Sequence, residues 1–428
     1  MMGPMEAPFA ADERRRLERL DADSLAAHQV ERFNALMSTI LPANKFYADK
    51  FNGLPQQIES LEQLAELPFT YKGELAGGPT ESLARNHTWA REAYVRWHQT
   101  SGTRGRPMVV LDTEEDWLWC IDTWQYVLDA AEVTSADTCF LAFSFGPFIG
   151  FWFGFDASAF RNCMVIPSGG MGTLSRIEMI RNSGTTCLFC TPSYALHLAE
   201  VAAQHNIDVA GMDIRCLILA GETGGSVPAI RERIESTFGA RVVDHSGATE
   251  AGPWGYGDAT GRGLHVIESE YIAEFFSVET GAPAAEGDLS ELVLTTLGRH
   301  GAPVIRYRTG DLVRPTWQHE GDNRFVFLEG GVLGRVDDMM IIRGVNIYPS
   351  SIEQILRSFP EVVEYRMTAF KDQEMDQLMI EVEDRLDDPQ RLEEELRLRL
   401  SMKVGVKSVP LGSLPRFEAK GKRFVDNR

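Results

Sequence analysis

Short apolar runs alternate with helix-like stretches between residues 100 and 243, and this alternation restricts the fold more than any other feature of the 428-residue chain. The runs read MVVL, CMVIP, TTCLFCTP, RCLILAGE and ARVVDHS, and one of the stretches that accompany them covers residues 227–238. Alternation of this kind is typical of an α/β architecture with mostly parallel strands. Two later runs, residues 291–296 and 304–307, predict further strands that pair antiparallel.

The pattern changes near Arg335, and this change predicts a second unit. Residues 12–67 read as amphipathic helices suited to packing or to a dimer contact. After Arg335 come a short strand, a helix from Ser351, a strand MIEVE, a charged helix LEEELRLRL and a strand KSVPL. A chain of this length exceeds what one core usually serves. We therefore predict an α/β protein with a large N-terminal multi-sheet α/β domain, residues 1–333, and a small α+β C-terminal domain, residues 334–428.

The formal charge of −20 argues against a nucleic-acid or anionic-membrane partner, because either would need a basic surface. Residues 138–155 lack charge over nearly the length of a membrane span, but Gly146 and Pro147 interrupt them and aspartates flank them. We therefore predict a buried segment and no membrane span. Six scattered cysteines and an N-terminus unlike a signal peptide predict a cytoplasmic protein, with Cys187 and Cys190 as structural residues.

Residues 100–107, TSGTRGRP, combine hydroxyls, glycines and two arginines after a predicted strand end. Glycine lets the backbone approach a ligand closely, and consecutive amides with hydroxyl donors form a concave anion site. The stretch is not a Walker A loop, because the terminal Gly-Lys-Ser/Thr is missing. It predicts either a phosphate-binding loop or an ordinary surface turn.

Two predicted strands end in glycine and acidic residues, AGE at residues 220–222 and DHSGATE at residues 244–250. Ligands of α/β folds bind beyond the carboxyl edge of the sheet, so both segments are candidates for a ligand site. Read by itself, Glu250 would also suit the first turn of a helix. Residues 307–312, YRTGDL, follow a predicted strand, and Gly310-Asp311 alone would be a plain turn.

Residues 334–353, GRVDDMMIIRGVNIYPSSIE, carry Arg335, Asp337 and Arg343 at the ends of predicted elements, where side chains can reach a ligand. That order of cations, acids and a short apolar strand is hard to explain by packing alone. The C-terminal stretch, LPRFEAKGKRFVDNR, is basic, and a tail of this kind is most often solvated surface.

These five motifs, in this order, resemble those of the adenylate-forming superfamily, which comprises acyl-CoA synthetases, nonribosomal peptide adenylation domains and luciferases. Their wording is nearest the phenylacetate-CoA ligase branch, in which the corresponding segments read SSGTTGKP, GAE, DIYGLTE and LPRSEGKAKRVIDNR. The resemblance implies an AMP-forming acid–CoA ligase that uses ATP, Mg²⁺ and coenzyme A. A small carboxylic acid, an aromatic one by preference, would be joined to AMP with release of pyrophosphate. The small domain would be mobile and would turn before the CoA thiol takes the acyl group.

The resemblance also implies which residues form the ATP site. They would be Thr100, Ser101, Gly102, Thr103, Arg104, Gly105, Ala220, Gly221, Glu222, Asp244, His245, Ser246, Gly247, Asp311 and Arg335. Asp311 and Arg335 would contact the ribose, since a carboxylate is the natural partner of a diol. The sequence departs from the family at Arg104, which replaces threonine, and at Ser246, which replaces an aromatic platform under adenine. His245 is the candidate to compensate for the missing tyrosine.

The same resemblance implies catalytic roles for three residues. Thr249 would contact the α-phosphate, Glu250 would hold Mg²⁺, and Lys420 would be the catalytic lysine, with Lys422 as its nearby rival. A lysine that bridges the carboxylate and the α-phosphate relieves the repulsion between two anions as charge shifts in the transition state.

The remaining roles concern the hinge, CoA and the acyl group. Asp337 would be the hinge between domains, and Arg343 and Gly344 would bind CoA where its thiol arm passes close to the backbone. The acyl pocket would be lined by Phe145, Phe148, Phe151, Gly169, Gly170 and Trp254. A pocket lined by aromatic rings and glycines prefers a flat apolar acid. The alternative interpretation is that these residues belong to the ordinary core.

In some relatives, cysteines that suit a structural zinc follow the segment that corresponds to DHSGATE. The corresponding stretches of this chain hold no cysteine. His265 and His319 alone cannot complete a zinc site, so no zinc is expected. Two alternatives stay open. One is an adenylating enzyme of secondary metabolism that transfers its acyl group to a carrier protein or an amine; the other is an inactive nucleotide-binding homologue, which Ser246 favours and Lys420 opposes. The helical N-terminus makes a homodimer plausible.

Overall fold

The computed structural model has the predicted α/β fold, with several sheets and a compact C-terminal unit. It describes residues 11–76, 83–100, 107–150, 152–317, 321–338, 340–342, 345–372, 375–400, 404–416 and 423–428. The α-helices are α1 (Ala11–Glu18), α2 (Ala22–Ile40), α3 (Lys45–Lys50), α4 (Lys72–Leu75), α5 (Glu114–Ala130), α6 (Trp152–Phe160), α7 (Thr173–Asn182), α8 (Pro192–Gln204), α9 (Pro228–Phe238), α10 (Pro349–Arg357) and α11 (Pro389–Leu400). Short 3₁₀ helices cover Leu61–Glu66, Arg91–Ala93 and Val336–Asp338.

The strands follow the same chain order. They are β1 (Arg96–Gln99), β2 (Val109–Asp112), β3 (Thr138–Leu141), β4 (Met164–Pro167), β5 (Cys187–Cys190), β6 (Cys216–Leu219), β7 (Arg241–Ala248), β8 (Gly252–Gly257), β9 (Gly263–Val266), β10 (Tyr271–Ser277), β11 (Ser290–Thr296), β12 (Tyr307–Val313), β13 (Pro315–Thr316), β14 (Phe327–Glu329), β15 (Gly334–Arg335), β16 (Met340–Ile342), β17 (Val345–Ile347), β18 (Val362–Asp372), β19 (Met375–Asp384), β20 (Gly405–Ser408) and β21 (Phe424–Asn427).

The largest sheet has the order β13-β14-β9-β8-β7-β6-β5-β3-β4, and its strands from β7 to β4 are parallel as the alternation predicts. Strand β7 changes partner along its length. It pairs in parallel with β6 up to Asp244 and antiparallel with β8 from His245 onward. DHSGATE lies at the end of this strand as predicted, but the strand runs two residues beyond the predicted ARVVDHS, because β8 supplies a second set of hydrogen-bond partners that carries it on to Ala248.

A second sheet, β10-β11-β12-β15, is antiparallel throughout, which confirms the antiparallel pairing predicted for this region. The predicted strand at residues 304–307 is wrong, since β12 begins only at Tyr307. Arg306 has a left-handed backbone with φ of +47°, and its guanidinium bonds to Glu274 and to the carbonyl of Leu67. These contacts bend the chain before the strand begins. The YRTGD motif is consequently strand rather than turn.

The N-terminal helices pack onto the large unit, in agreement with the predicted packing role. Phe33, Leu36 and Ile40 of α2 are fully buried in a cluster that includes Ile272 and Leu297 from the second sheet and the segment after it. Deeply buried apolar side chains of this size each contribute about 1.5–3 kcal/mol to folding. The helices thus stabilise the strands that carry the later motifs. The predicted homodimer stays a prediction.

The C-terminal unit has its own sheet, β20-β19-β18-β21, and its own apolar cluster with α10 and α11. Most elements predicted after Arg335 are present, with α10 starting at Pro349 rather than Ser351. The end of the chain differs from a solvated tail, because β21 pairs in parallel with β18. Only residues 423–428 of the basic stretch after residue 416 are described.

The apolar segment at residues 138–155 is divided between β3, a loop and the start of α6, which agrees with a buried segment. Among the described residues no helix combines the length and apolar character that a membrane crossing requires. Cys187 and Cys190 are buried and free at the two ends of β5, as predicted for structural cysteines.

Candidate active site

Glycine and acidic residues meet at the carboxyl edge of the parallel sheet. Gly221, just after β6, has a left-handed backbone with φ of +92°. Glu222 accepts a hydrogen bond of 2.7 Å from the amide of Ser193 at the start of α8. Asp244 accepts one of 2.6 Å from the hydroxyl of Ser226. Burial raises the pKa of Asp244 to about 6, although hydrogen bonds from Ser226 and from the amide of His245 oppose the rise.

Glu250 lies in the turn between β7 and β8 and has two partners from distant parts of the chain. The ammonium of Lys72 is 2.6 Å from its carboxylate, and the hydroxyl of Tyr307 donates a bond of 3.2 Å. Burial is the largest single influence and would raise the pKa of Glu250, but the charge and hydrogen bond of Lys72, together with the hydrogen bond from Tyr307, more than offset it, and the pKa is below its usual value. The carboxylate is therefore anionic at neutral pH. The alternative of a helix N-terminal acid is wrong, because β8 rather than a helix follows this turn.

A buried ion pair fixes the backbone at Thr249 and Glu250. The guanidinium of Arg299 donates to the carbonyl of Thr249 at 2.8 Å and to that of Glu250 at 2.9 Å. Its other face pairs with Asp112 at 2.6 Å, and neither side chain is exposed to solvent. Since hydrogen bonds from charged donors are roughly twice as strong as neutral ones, Arg299 holds this turn rigidly.

Asp311 and Arg335 are brought together as neighbours on β12 and β15. Arg335 donates to the Asp311 carboxylate and to the Thr309 carbonyl, each at 2.9 Å, and lies 3.6 Å from the carboxylate of Asp337. Gly310 makes this arrangement possible: a Cβ atom there would lie 2.8 Å from the Arg335 guanidinium and 3.0 Å from the Asp337 carboxylate. The two predicted ribose contacts and the predicted hinge residue therefore form one cluster.

His245 and Ser246 differ in their surroundings. The His245 ring is buried against Trp124, with ring centroids 4.2 Å apart, and its Nδ1 donates to the carbonyl of Gly255 at 2.8 Å. Burial lowers the pKa of His245 to about 4, so the ring is neutral. Ser246 is half-buried and Gly247 exposed on the same strand. His245 thus has a core-packing role, and the adenine platform remains unassigned among the described residues.

Several predicted residues lie outside the described part of the chain: Ser101, Gly102, Thr103, Arg104, Gly105, Phe151, Arg343, Gly344 and Lys420. Their neighbours are described. Thr100 pairs with Met108 through two hydrogen bonds of 3.0 Å, which closes the base of the predicted phosphate loop. Arg416 and Arg423, which precede and follow residues 417–422, lie 3.7 Å from Glu200 and 3.8 Å from Glu222.

Aromatic rings gather at the carboxyl end of β3. Phe145 lies with its ring centroid 5.0 Å from Phe143, 4.5 Å from Trp152 and 5.6 Å from Phe155. A Cβ atom at Gly169 would lie 3.4 Å from the Phe145 ring, so the predicted pair of Phe145 and Gly169 is in contact. Phe148 is half exposed, and Gly170 follows Gly169 in a left-handed turn. Trp254 is fully buried within β8.

Three side chains that contact the predicted site residues were not predicted: Lys72, Tyr307 as a partner of Glu250, and Arg299. Lys72 lies in TYKGEL, which has the composition of an exposed turn and helix start, and its side chain is half exposed. No local pattern marks it as the partner of an acid in another motif. Tyr307 belongs to the YRTGD motif, so the sequence could predict that it lies beside the site. The sequence could not predict that its hydroxyl contacts Glu250.

The chain shows extensive similarity to known proteins. Residues 344–428 match the family described as AMP-binding enzyme C-terminal domain. The phenylacetate-coenzyme A ligase of Pseudomonas putida is 30% identical over 96% of each chain. The enzyme of the same name from Thermus thermophilus is 32% identical over 86% of this chain and 83% of its own, and that from Escherichia coli K12 is 31% identical over 96% and 97%.

Solved structures support the same fold. A 2-hydroxyisobutyryl-CoA ligase in the postadenylation state superposes with a TM-score of 0.89 at 24% identity, covering 100% of this chain and 94% of its own. The same ligase in its thioesterification state, with CoA bound, gives a TM-score of 0.73 at 25% identity, covering 98% and 94%.

The fold and the arrangement of motifs define an adenylate-forming enzyme, that is, an AMP-forming acid–thiol ligase. Within that class the chain belongs to the phenylacetate-CoA ligase family. Its reaction is ATP-dependent ligation of an acid to CoA through an acyl-AMP.

Proposed function

We propose that the acid activated by this enzyme is aromatic or similarly flat and apolar. The observation that supports this choice is the cluster of Phe143, Phe145, Trp152 and Phe155 at the carboxyl end of β3, beside Gly169. Aromatic rings favour offset or edge contacts with another ring, and glycine leaves space for one. The relatives named phenylacetate-coenzyme A ligase point to the same substrate class.

The proposed magnesium ligand is Glu250. Its carboxylate is anionic and largely buried, and Mg²⁺ prefers oxygen ligands of this kind together with substrate phosphates. The residues present therefore fit the ion, which when bound would neutralise phosphate charge. Lys72 neutralises Glu250 in the structure described, and its half-exposed side chain is free to turn toward phosphate oxygens when ATP binds.

The nucleotide would be held by the cluster at the ends of β12 and β15. We assign the ribose hydroxyls to Asp311, oriented by Arg335, and the α-phosphate to Thr249, whose backbone Arg299 holds in place. Ala220, Gly221, Glu222 and the segment from Asp244 to Gly247 would line the adenine, with Ser101 to Gly105 at the phosphates. Positioning of this kind provides most of the rate in phosphoryl-type transfer.

Lys420 would supply the mobile charge. In the first step it would bridge the carboxylate and the α-phosphate, and the domain of residues 334–428 would then turn about Asp337 to bring Arg343 and Gly344 to CoA. Two features support such a rotation of the C-terminal domain. Asp337 is half exposed at the end of β15, and the ion pairs from Arg416 and Arg423 to the domain of residues 1–333 are long at 3.7 and 3.8 Å.

The test is an incubation of the enzyme with MgATP and a panel of aryl and short acyl carboxylates, with and without CoA. Acid-dependent pyrophosphate and an acyl-CoA mass, strongest for aryl acids, are the expected results. Preference for short branched or hydroxylated acids would overturn the aromatic assignment. Acyl-AMP that persists in the presence of CoA would instead favour transfer to a carrier protein or an amine.

A further inference from the structure

A small cavity lies between the C-terminal unit and the helices α8 and α9, away from Glu250 and Asp311. It has a volume of about 30 Å³, which suits two or three waters or one small ion. Five arginines line it, whereas only two glutamates do. These arginines are Arg233, Arg357, Arg385, Arg416 and Arg423. Such a concentration of positive charge is unusual in a chain with a net charge of −20.

The acids around this cavity are already engaged with other cations. Glu364 accepts from Arg423 at 2.7 Å, and Glu200 lies 3.7 Å from Arg416. Glu361, nearby, pairs with Arg391 at 3.4 Å.

Two of the five arginines lack such a partner. Among the described residues, no carboxylate lies within ion-pair distance of Arg233 on α9 or of Arg385 after β19. Burial lowers the pKa of Arg233, and the like charges of Arg357 and Arg385 lower it further; the more weakly acting carboxylates of Glu200 and Glu361 offset this only in part. A partly buried guanidinium without a counterion is unfavourable, so the arrangement is incomplete as a set of charges.

We propose that this cavity is a binding site for a phosphate-type dianion, held by Arg233 and Arg385 across the seam between the two units. Planar guanidinium groups match the geometry of phosphate oxygens, and hydrogen bonds between ionised partners are the strongest type. The ligand is either free phosphate or pyrophosphate, or a phosphate group carried by a larger molecule such as CoA.

The first test measures binding of inorganic phosphate to the full-length protein by calorimetry, with chloride at matched ionic strength as the reference. The variant Arg233→Gln/Arg385→Gln should bind phosphate at least tenfold more weakly than the natural protein. A matched control is Arg181→Gln/Arg399→Gln, which removes the same charge from two exposed arginines that pair with Glu178 and Glu395. The control should bind phosphate as the natural protein does.

Folding and the ATP site are checked in the same variants. Without phosphate, the midpoint of thermal unfolding of Arg233→Gln/Arg385→Gln should equal or exceed that of the natural protein, because two repelling cations are removed. Its KM for ATP should not change. Equal phosphate affinity in this variant and in the control would overturn the proposal, as would no phosphate binding to the natural protein.

Three further titrations identify the source of the dianion. Pyrophosphate, CoA and 3′-dephospho-CoA are each made to compete with phosphate. Competition by CoA but not by 3′-dephospho-CoA would assign the site to the 3′-phosphate, and competition by pyrophosphate alone would assign it to the product of the first step. A bound dianion should also slow conversion of supplied acyl-AMP to acyl-CoA, an effect that rests on the proposed domain rotation. Binding without slowing would refute the rotation and leave the site intact.

Discussion

The ion pairs inside the large unit differ from those that join it to the C-terminal unit. Lys72–Glu250 and Arg299–Asp112 are both 2.6 Å apart, and the second pair is completely buried. Arg416–Glu200 and Arg423–Glu222, which cross between the units, are 3.7 and 3.8 Å apart. The buried Arg299–Asp112 pair fixes the backbone at Thr249 and Glu250, so this part of the large unit is a rigid frame. The ion pairs that join the C-terminal unit to the large unit are longer, and the attraction between two charges falls as their separation increases.

The largest expected effect comes from Arg299→Met, which removes the buried ion pair of the large unit. This change removes the guanidinium partner of the buried Asp112 carboxylate and leaves the carbonyls of Thr249 and Glu250 without their donor, so the free energy of unfolding should fall by about 3–5 kcal/mol. Urea unfolding followed by fluorescence measures the loss. The control is Arg181→Met, whose exposed pair with Glu178 should matter by less than about 0.5 kcal/mol. Equal losses in both variants would contradict the rigid frame.

The proposed role of the C-terminal unit is tested by Lys420→Ala. If Lys420 bridges the carboxylate and the α-phosphate, acyl-AMP formation should fall by roughly 100- to 1000-fold. Conversion of supplied acyl-AMP to acyl-CoA should be nearly unchanged. Lys422→Ala is the control and should retain most of the first activity. Loss of both half-reactions to the same degree would contradict the division of labour between the units.

Asp244 gives a pH test of the large unit. Its folded pKa of about 6 lies above its usual value of 3.8, so the unfolded state loses its proton first and stability falls as pH rises between these values. Asp244→Asn should therefore be more stable than the natural protein by about 1–3 kcal/mol above pH 6, and no different below about pH 4. Urea unfolding between pH 4 and pH 8 measures both.

Asp258 supplies a control of opposite sign. Burial opposes ionisation there, but hydrogen bonds involving His265 and Thr260 lower its pKa to about 2. Asp258→Asn should lose stability at neutral pH, and the loss should shrink as pH falls toward 2. A gain in Asp258→Asn, or a pH-independent difference in Asp244→Asn, would count against this electrostatic description.

The smallest expected effect concerns the contacts between the units. A double-mutant cycle on Glu200 and Arg416, using glutamine at each position, should give a coupling of about 0–0.5 kcal/mol. The matched cycle on Arg416 and Glu383, which are 2.7 Å apart within the C-terminal unit, should exceed about 1 kcal/mol because Glu383 is buried. A strong coupling across the seam would mean that the C-terminal unit is fixed.

The sequence predicts most of the fold because its signals are local. Apolar runs and helix periodicity reveal β3 to β7 and the helices α7 to α9, and the change of pattern near Arg335 marks the second unit. Motif resemblance assigns both Asp311 and Arg335 to the ribose, and in the structure the two side chains are joined by a hydrogen bond of 2.9 Å; their contact with the ribose stays a prediction. The signals fail where partners are distant. The extension of β7 depends on β8, and the bend at Arg306 depends on Glu274 and Leu67.

The residues of the candidate site also fall into those that local sequence signals could predict and those that depend on distant partners. Glu250 and Asp311 are marked by glycine and acids in recognisable motifs, so they could be predicted. Lys72 could not, because an exposed lysine beside a turn has no distinguishing pattern until the fold brings it to Glu250. Arg299 could not either, since a buried arginine reads in sequence like any surface cation.

The change of partner within β7 has a consequence for engineering. A strand that pairs in parallel on one part and antiparallel on the other divides this single sheet at Asp244 into a parallel part and an antiparallel part. If the aromatic cluster that follows β3 lines the acyl pocket as proposed, the segments before Asp244 are the ones to exchange between relatives in order to change the acid accepted. Residues 245–248 take their register from β8, so we expect such an exchange to leave the strand that leads to Thr249 and Glu250 unchanged.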